Sequence, residues 1–221
     1  MHFKILVEDQ SGAKALRILV SKIVGSGHTV DYHSYKGIGS IPSGMKAKSD
    51  PNKRILLDHL PRLLCGIGKT FAAYPKDYRA VVVVVCDLDQ RCLKTFRAEL
   101  LGIIEKCNPC PEVRFCIAVE EGEAWLLGDI DAVKAAYRNA KDYVLRAYRN
   151  DSVCGTWEKL ADAVYPGGSQ KLSEQGWQVI GAEKSKWAEK IAPHMDVGRN
   201  KSPSFQYFCS KLRDLSCQII P

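Results

Sequence analysis

Hydrophobic positions along this chain follow two rhythms. Up to about residue 130, short apolar runs closed by acids alternate with stretches whose apolar residues recur every three or four positions. Beyond that point only the second rhythm continues. Phe3 to Val7 reads as a strand ending in Glu8 and Asp9. Gln10 to Gly12 turn the chain, and Leu16, Leu19, Val20, Ile23 and Val24 then make one apolar helical face. Gly25 to Gly27 ends that helix. Thr29 to Tyr35 alternates as a second strand.

Lys36 to Lys53, rich in Gly, Ser, Pro and Lys, reads as a loop able to lay basic groups over phosphates or simply to connect. Arg54 to Thr70 predicts a leucine-striped helix, kinked or broken at Pro61. Val81 to Cys86 is a continuous apolar run running into Asp87 and Asp89. A run this short and this β-branched predicts a strand covered on both faces, at the centre of a parallel sheet. Cys92 to Lys106 is the next helix, and Val113 to Val119 a further strand ending in Glu120, Glu121 and Glu123. Later helices are predicted over Ala132 to Tyr148, Trp157 to Val164 and Glu183 to Ala192, with a last one over Phe205 to Leu215 capped by Ser202 or Ser204. The alternation predicts an α/β fold: a doubly wound, mainly parallel sheet over 1–130, with a basic helical extension over 131–221.

Composition adds limits. With 46% hydrophobic and 26% charged residues the chain is ordinarily globular. No apolar run approaches the ~20 residues that span a bilayer. The N-terminal stretch lacks the features of a secretory leader, so a cytoplasmic location is expected. The nine cysteines form no framework and read as reduced thiols. Cys107 and Cys110, a single CxxC, read as a helix-ending turn, because a zinc site needs further ligands at suitable spacing. The net charge is +7, with a surplus of 2 over residues 1–133 and 5 over 134–221. A basic C-terminal part beside acidic strand ends points to a polyanion as partner. Lys134, Arg138 and Lys184 are candidates for contacting it.

The candidate chemistry lies at the strand ends. In a parallel sheet the carboxyl ends share one edge, which would gather Glu8, Asp87, Asp89 and the Glu120 to Glu123 group. Bare like charges so placed repel, and a hard divalent ion, Mg²⁺ or Mn²⁺, relieves that. Such an ion polarises a phosphoryl oxygen and activates water. Lys184 or Lys186 could steady the transition state, and Lys186 is the candidate catalytic cation. GIGKT at Gly66 to Thr70 is not a phosphate-binding loop: Leu63 stands where its first glycine is required, and a leucine-rich helix precedes it.

Glu8 after FKILV and Asp87-Leu88-Asp89 after VVVVVC resemble the TOPRIM domain of topoisomerases, primases, small nucleases and OLD-type nucleases. EGEAWLLGD around Glu123, Trp125 and Asp129, with SPSF at Ser202 to Phe205, is similar to a bacterial family of stand-alone TOPRIM-like proteins. The resemblance implies a Mg²⁺ (or Mn²⁺) core. In it Asp87 and Asp89 are metal ligands, Glu8 is a ligand or general acid–base, and Glu120 or Glu123 completes a second site. It also implies a nuclease acting on DNA or RNA, an effector of antiphage defence working with an ATPase partner. One position departs: TOPRIM domains usually place glycine directly after the first-strand glutamate, where Asp9 stands here, with Gly12 later. The alternative is a non-catalytic adaptor that binds an ATPase or nucleic acid, supported if Trp157, Trp177 and Trp187 form one exposed patch.

Overall fold

The computed structural model describes residues 1–44 and 50–217. The chain divides into two compact units. Unit 1 holds residues 1–13 and 26–117; unit 2 holds 14–25 and 118–221. The division therefore falls earlier than residue 130, and unit 2 also claims residues 14–25 from the N-terminal part of the chain.

Unit 1 is built on a parallel sheet with strand order β2-β1-β3-β4: β1 His2–Val7, β2 Thr29–Ser34, β3 Ala80–Asp87 and β4 Val113–Ala118, the last residue of β4 passing into unit 2. Register runs from His2 opposite Thr29 and Ala80 to Val7 opposite Ser34 and Val85. Residues Val81 to Cys86 are all buried, as a central strand covered on both faces requires. On β2 exposed residues alternate with half-buried ones, the pattern of an edge strand.

Two helices of unit 1 follow the apolar stripes: α2 (Leu56–Ala72) buries Leu56, Leu57, Leu60 and Leu64, and α3 (Leu93–Glu105) buries Phe96, Leu100 and Ile103. Helix α2 runs through Pro61 unbroken, so of the expected kink or break the break does not occur; the ring itself is buried. Gly66 to Thr70 are helical residues of α2, which leaves no loop there to cradle a phosphate. Part of the glycine-rich connector is also ordered: Pro51–Lys53 form a 3₁₀ turn, whereas residues 45–49 of that predicted loop lie outside the described residues. Cys107 and Cys110 follow α3 in a turn, as expected. Cys65 of α2 lies beside Cys107; burial, with the Cys65 and Cys110 thiols beside it, pushes the Cys107 thiol up to about 12.

Helix α1 (Gln10–Val24) begins in unit 1 and continues into unit 2. The rest of unit 2 is helical: α4 Glu123–Leu127, α5 Ile130–Ala136, α6 Asp142–Ala147, α7 Thr156–Val164, α8 Gly168–Ser173, α9 Trp177–Ile191 and α10 Pro203–Ser216. Its core stacks Trp125 on Phe208, ring centres 5.0 Å apart, beside Phe205 at 5.4 Å from Trp125. Lys22 donates to the carbonyls of Ala192, Pro193 and Met195, at 3.1, 2.6 and 2.9 Å. This clasp ties α1 to the turn that follows α9.

The predicted helix over Ala132–Tyr148 is two helices, α5 and α6. The break has a cause: the Lys141 amide donates to Ala163 of α7 at 2.9 Å, so tertiary pairing replaces the helical ladder. Ser202 caps α10 by accepting from the Phe205 amide.

Candidate functional site

In unit 1 the end of β1 meets the end of β3. Glu8 directly follows β1, and its amide donates to Val85 at 3.1 Å. Glu8 Oε2 accepts from the Asp87 amide at 2.9 Å. Asp89, two residues on, adopts the left-handed region at φ 51°, which non-glycine residues rarely do. Arg91 faces it, Nη1 to Oδ2 3.5 Å, and its Nη2 donates to the Gly39 carbonyl at 3.2 Å. Burial pushes the Glu8 carboxyl up to about 7; Asp89 and Asp9 add to this, while the Asp87 amide and Arg91 oppose it. A carboxyl that shares protons near neutrality beside two aspartates is the electrostatic profile of an acid–base or ion-binding edge.

Asp9 has a local task. Its Oδ1 accepts from the Gly12 amide at 2.7 Å, and its other oxygen takes the buried Ser11 hydroxyl, so it caps α1. A side chain at Gly12 would crowd Asp9 and Val7. Directly after Glu8 the chain therefore carries a capping aspartate, with a glycine one turn later.

The donor chemistry suits a hard dication: Glu8, Asp87 and Asp89 offer carboxylate oxygens, the ligands that Mg²⁺ and Mn²⁺ prefer, with Arg91 beside them. The fit is that of a partial shell. Among the described residues no group of three or more His, Cys, Asp or Glu side chains is set to hold an ion by itself. Mg²⁺ commonly takes one or two carboxylates and fills its shell with water and substrate phosphate.

The acids after β4 belong to unit 2 and are engaged there. Glu120, also left-handed at φ 61°, accepts from the amides of Cys154, Gly155 and Thr156 at 3.1, 2.9 and 3.0 Å, and from the Thr156 hydroxyl. Burial would raise its carboxyl, but these hydrogen bonds outweigh it and hold the group below the usual range. Glu123, 5% exposed, pairs with Lys184 at 3.0 Å, and Glu121 lies 3.6 Å from the same ammonium. Burial pushes Glu121 up to about 7; Lys184 pulls it down, and Glu123, Glu158 and Glu120 push it up.

Lys184, predicted to face a polyanion, thus serves a largely buried ion pair with its side chain 17% exposed. Lys186, the candidate catalytic cation, is 57% exposed and pairs with Glu183 on its own helix at 2.5 Å. Lys134 pairs with Asp142 at 2.7 Å, and Arg138 is exposed. The three tryptophans do not form one exposed patch: Trp157 and Trp187 are buried and Trp177 alone is 81% exposed.

EGEAWLLGD and SPSF come together within unit 2. Trp125 Nε1 donates to Ser204 Oγ at 2.9 Å, and the Lys201 amide donates to Gly128 at 2.8 Å. Asp129 accepts from Ala132 and from the Asp196 amide, at 3.1 and 2.8 Å. These segments brace the helical unit. Sequence reasoning missed Arg91 as the cation at the acidic edge. Its signal was present: a guanidinium two residues beyond the DxD, in the same strand-end loop.

A family model described as "Domain of unknown function (DUF4276)" matches residues 7–213. No curated protein and no solved structure matches the chain.

Proposed function

For this chain, which belongs to the DUF4276 family, we propose a divalent-metal-dependent nuclease that hydrolyses phosphodiesters in DNA or RNA, with its active edge in unit 1. The observation that carries the reading is the Glu8–Asp87 hydrogen bond at 2.9 Å, which unites the ends of β1 and β3 and brings the Asp89 charge to bear on the Glu8 carboxyl. The resemblance to TOPRIM domains, in the order of Glu8 and the DxD pair, supports it.

Asp87 and Asp89 would hold Mg²⁺ or Mn²⁺, which when bound supplies a polarised phosphoryl oxygen and an activated water. Glu8 is the proton-handling group; its Oε2 is fixed by the Asp87 amide. Arg91, held by the Gly39 carbonyl and stacked 4.9 Å above the Phe96 ring, would offer its guanidinium to the charge that builds on a phosphoryl group. Glu120 and Glu123 are engaged within unit 2, where Glu120 accepts from the amides at the start of α7 and Glu123 pairs with Lys184, so the proposal is built on the unit 1 acids. Work beside an ATPase partner in antiphage defence remains part of the same proposal and rests on the resemblance alone.

A second reading, a non-catalytic adaptor, is favoured by the structural tasks that Asp9 and Asp89 perform as helix cap and ion-pair partner. One experiment separates the two. The purified chain is incubated with single- and double-stranded DNA and RNA in Mg²⁺, Mn²⁺ or EDTA, beside a D87N variant. Cleavage that needs the metal and Asp87 supports the nuclease; cleavage in EDTA, or undiminished cleavage by folded D87N, overturns it.

A further inference from the structure

One strand over from Glu8, unit 1 carries a basic cavity of about 340 Å³ lined by Tyr35, Arg54, His59, Arg62 and Leu63. It holds three nitrogenous side chains and no carboxylate among its lining residues. Its place is fixed by the backbone that carries it. The Tyr35 amide donates to Val7 at 2.9 Å, the Lys36 amide to Arg54 at 2.9 Å, and the Gly37 amide to Glu8 at 3.1 Å. The loop that forms the cavity is therefore the loop that flanks the end of β1.

Three features suit this cavity to an anion. Arg54 is held at φ 50°, a left-handed backbone costly for a long side chain, with Nη2 donating to Ser34 at 2.6 Å. That bond fixes the guanidinium and leaves its other N–H groups for a ligand. Arg62 is exposed on α2, one turn beyond His59. His59 lines the cavity beside them and brings an imidazole rather than a carboxylate to its wall. Paired guanidiniums with an imidazole match the tetrahedral oxygens of a phosphate.

We propose that this cavity binds a backbone phosphate of the nucleic-acid strand, next to the phosphate presented to the acidic edge. The choice of a polynucleotide as carrier rests on the nuclease reading above; the anion preference rests on the cavity alone.

The test measures anisotropy of a fluorescein-labelled single-stranded oligonucleotide bound to the full chain in EDTA, where no cleavage occurs, from 50 to 200 mM KCl. The R54A/R62A variant should bind more weakly for every sequence, and the slope of log K against log salt should shrink by about 1.4 for two lost cations on a single strand. R62A and H59Q, which leave the Arg54–Ser34 bond intact, should each weaken binding with an unchanged circular dichroism spectrum. Wild-type affinity and slope in folded R54A/R62A, or no binding by the wild type, overturns the inference. Binding of inorganic phosphate or a mononucleotide that depends on the arginines, with oligonucleotide affinity the same in R54A/R62A as in the wild type, overturns the assignment to a strand. Arginine-dependent binding by a chain that cuts nothing in Mg²⁺ supports the cavity and sinks the nuclease reading alone.

Discussion

Glu8 and Asp87 lie 79 positions apart in sequence, and the carboxylate of one takes the main-chain N–H of the other at 2.9 Å. The bond involves the Asp87 backbone, so replacing the Asp87 side chain leaves it in place. A chemical variant at Asp87 can therefore be read without disturbing how β1 and β3 end.

D87N and D89N should abolish Mn²⁺ binding in calorimetry and lower cleavage by at least about 10²-fold. Asn tolerates the left-handed backbone that Asp89 adopts, so folding should persist. Melting temperatures measured alongside check this. Full Mn²⁺ affinity in both variants would remove the acidic edge as the metal site.

Glu121 gives a pH signature in unit 2. Its carboxyl sits at about 7 in the folded chain against an ordinary 4.5, so the folded state binds the proton more tightly than the unfolded one. The resulting stability is complete below about 4.5 and is lost as pH rises through about 7. E121Q should therefore be more stable than wild type at pH 8 by about 2 kcal/mol, and the difference should vanish near pH 4. Urea denaturation of both proteins at the two pH values measures it.

Lys184 and Lys186, two residues apart on α9, should behave as opposites. K184M leaves Glu123 buried without its cation and should cost about 3–5 kcal/mol. K186A removes an exposed pair and should leave the denaturation midpoint essentially unchanged. Equal effects in denaturant melts would contradict the burial of the first pair.

Ser202 caps α10, and its hydroxyl also donates to Asp151 Oδ1 at 2.6 Å, while Asp151 Oδ2 takes the Ser204 amide at 2.6 Å. S202A should lower stability by about 1–2 kcal/mol, measured by chemical denaturation.

Much of the sheet was readable from the chain. Five successive valines can be wholly buried only in a strand covered on both faces, and the acids that follow must then emerge at its carboxyl end. The Ser202 cap was equally readable, since its hydroxyl acts within three residues. What could not be read depends on partners distant in sequence. Glu120 looks like Glu8, an acid after an apolar strand. Only folding shows that the amides of residues 154–156 occupy one and an amide of β3's end the other. Lys184 and Lys186 differ by where α9 turns them, and α2 continues through Pro61, whose ring it buries. The split of Ala132–Tyr148 likewise depended on a carbonyl at Ala163, 22 positions beyond the amide it receives.

Lys22 reaches three carbonyls near residue 193, and unit 2 draws on both the early segment 14–25 and the late segment 118–221. During synthesis the early piece leaves the ribosome long before its companions exist. Unit 2 therefore cannot be completed until its late segment has been made. A fragment starting at residue 118 would be short of its own first helix. Separately expressed halves should regain native structure only when mixed.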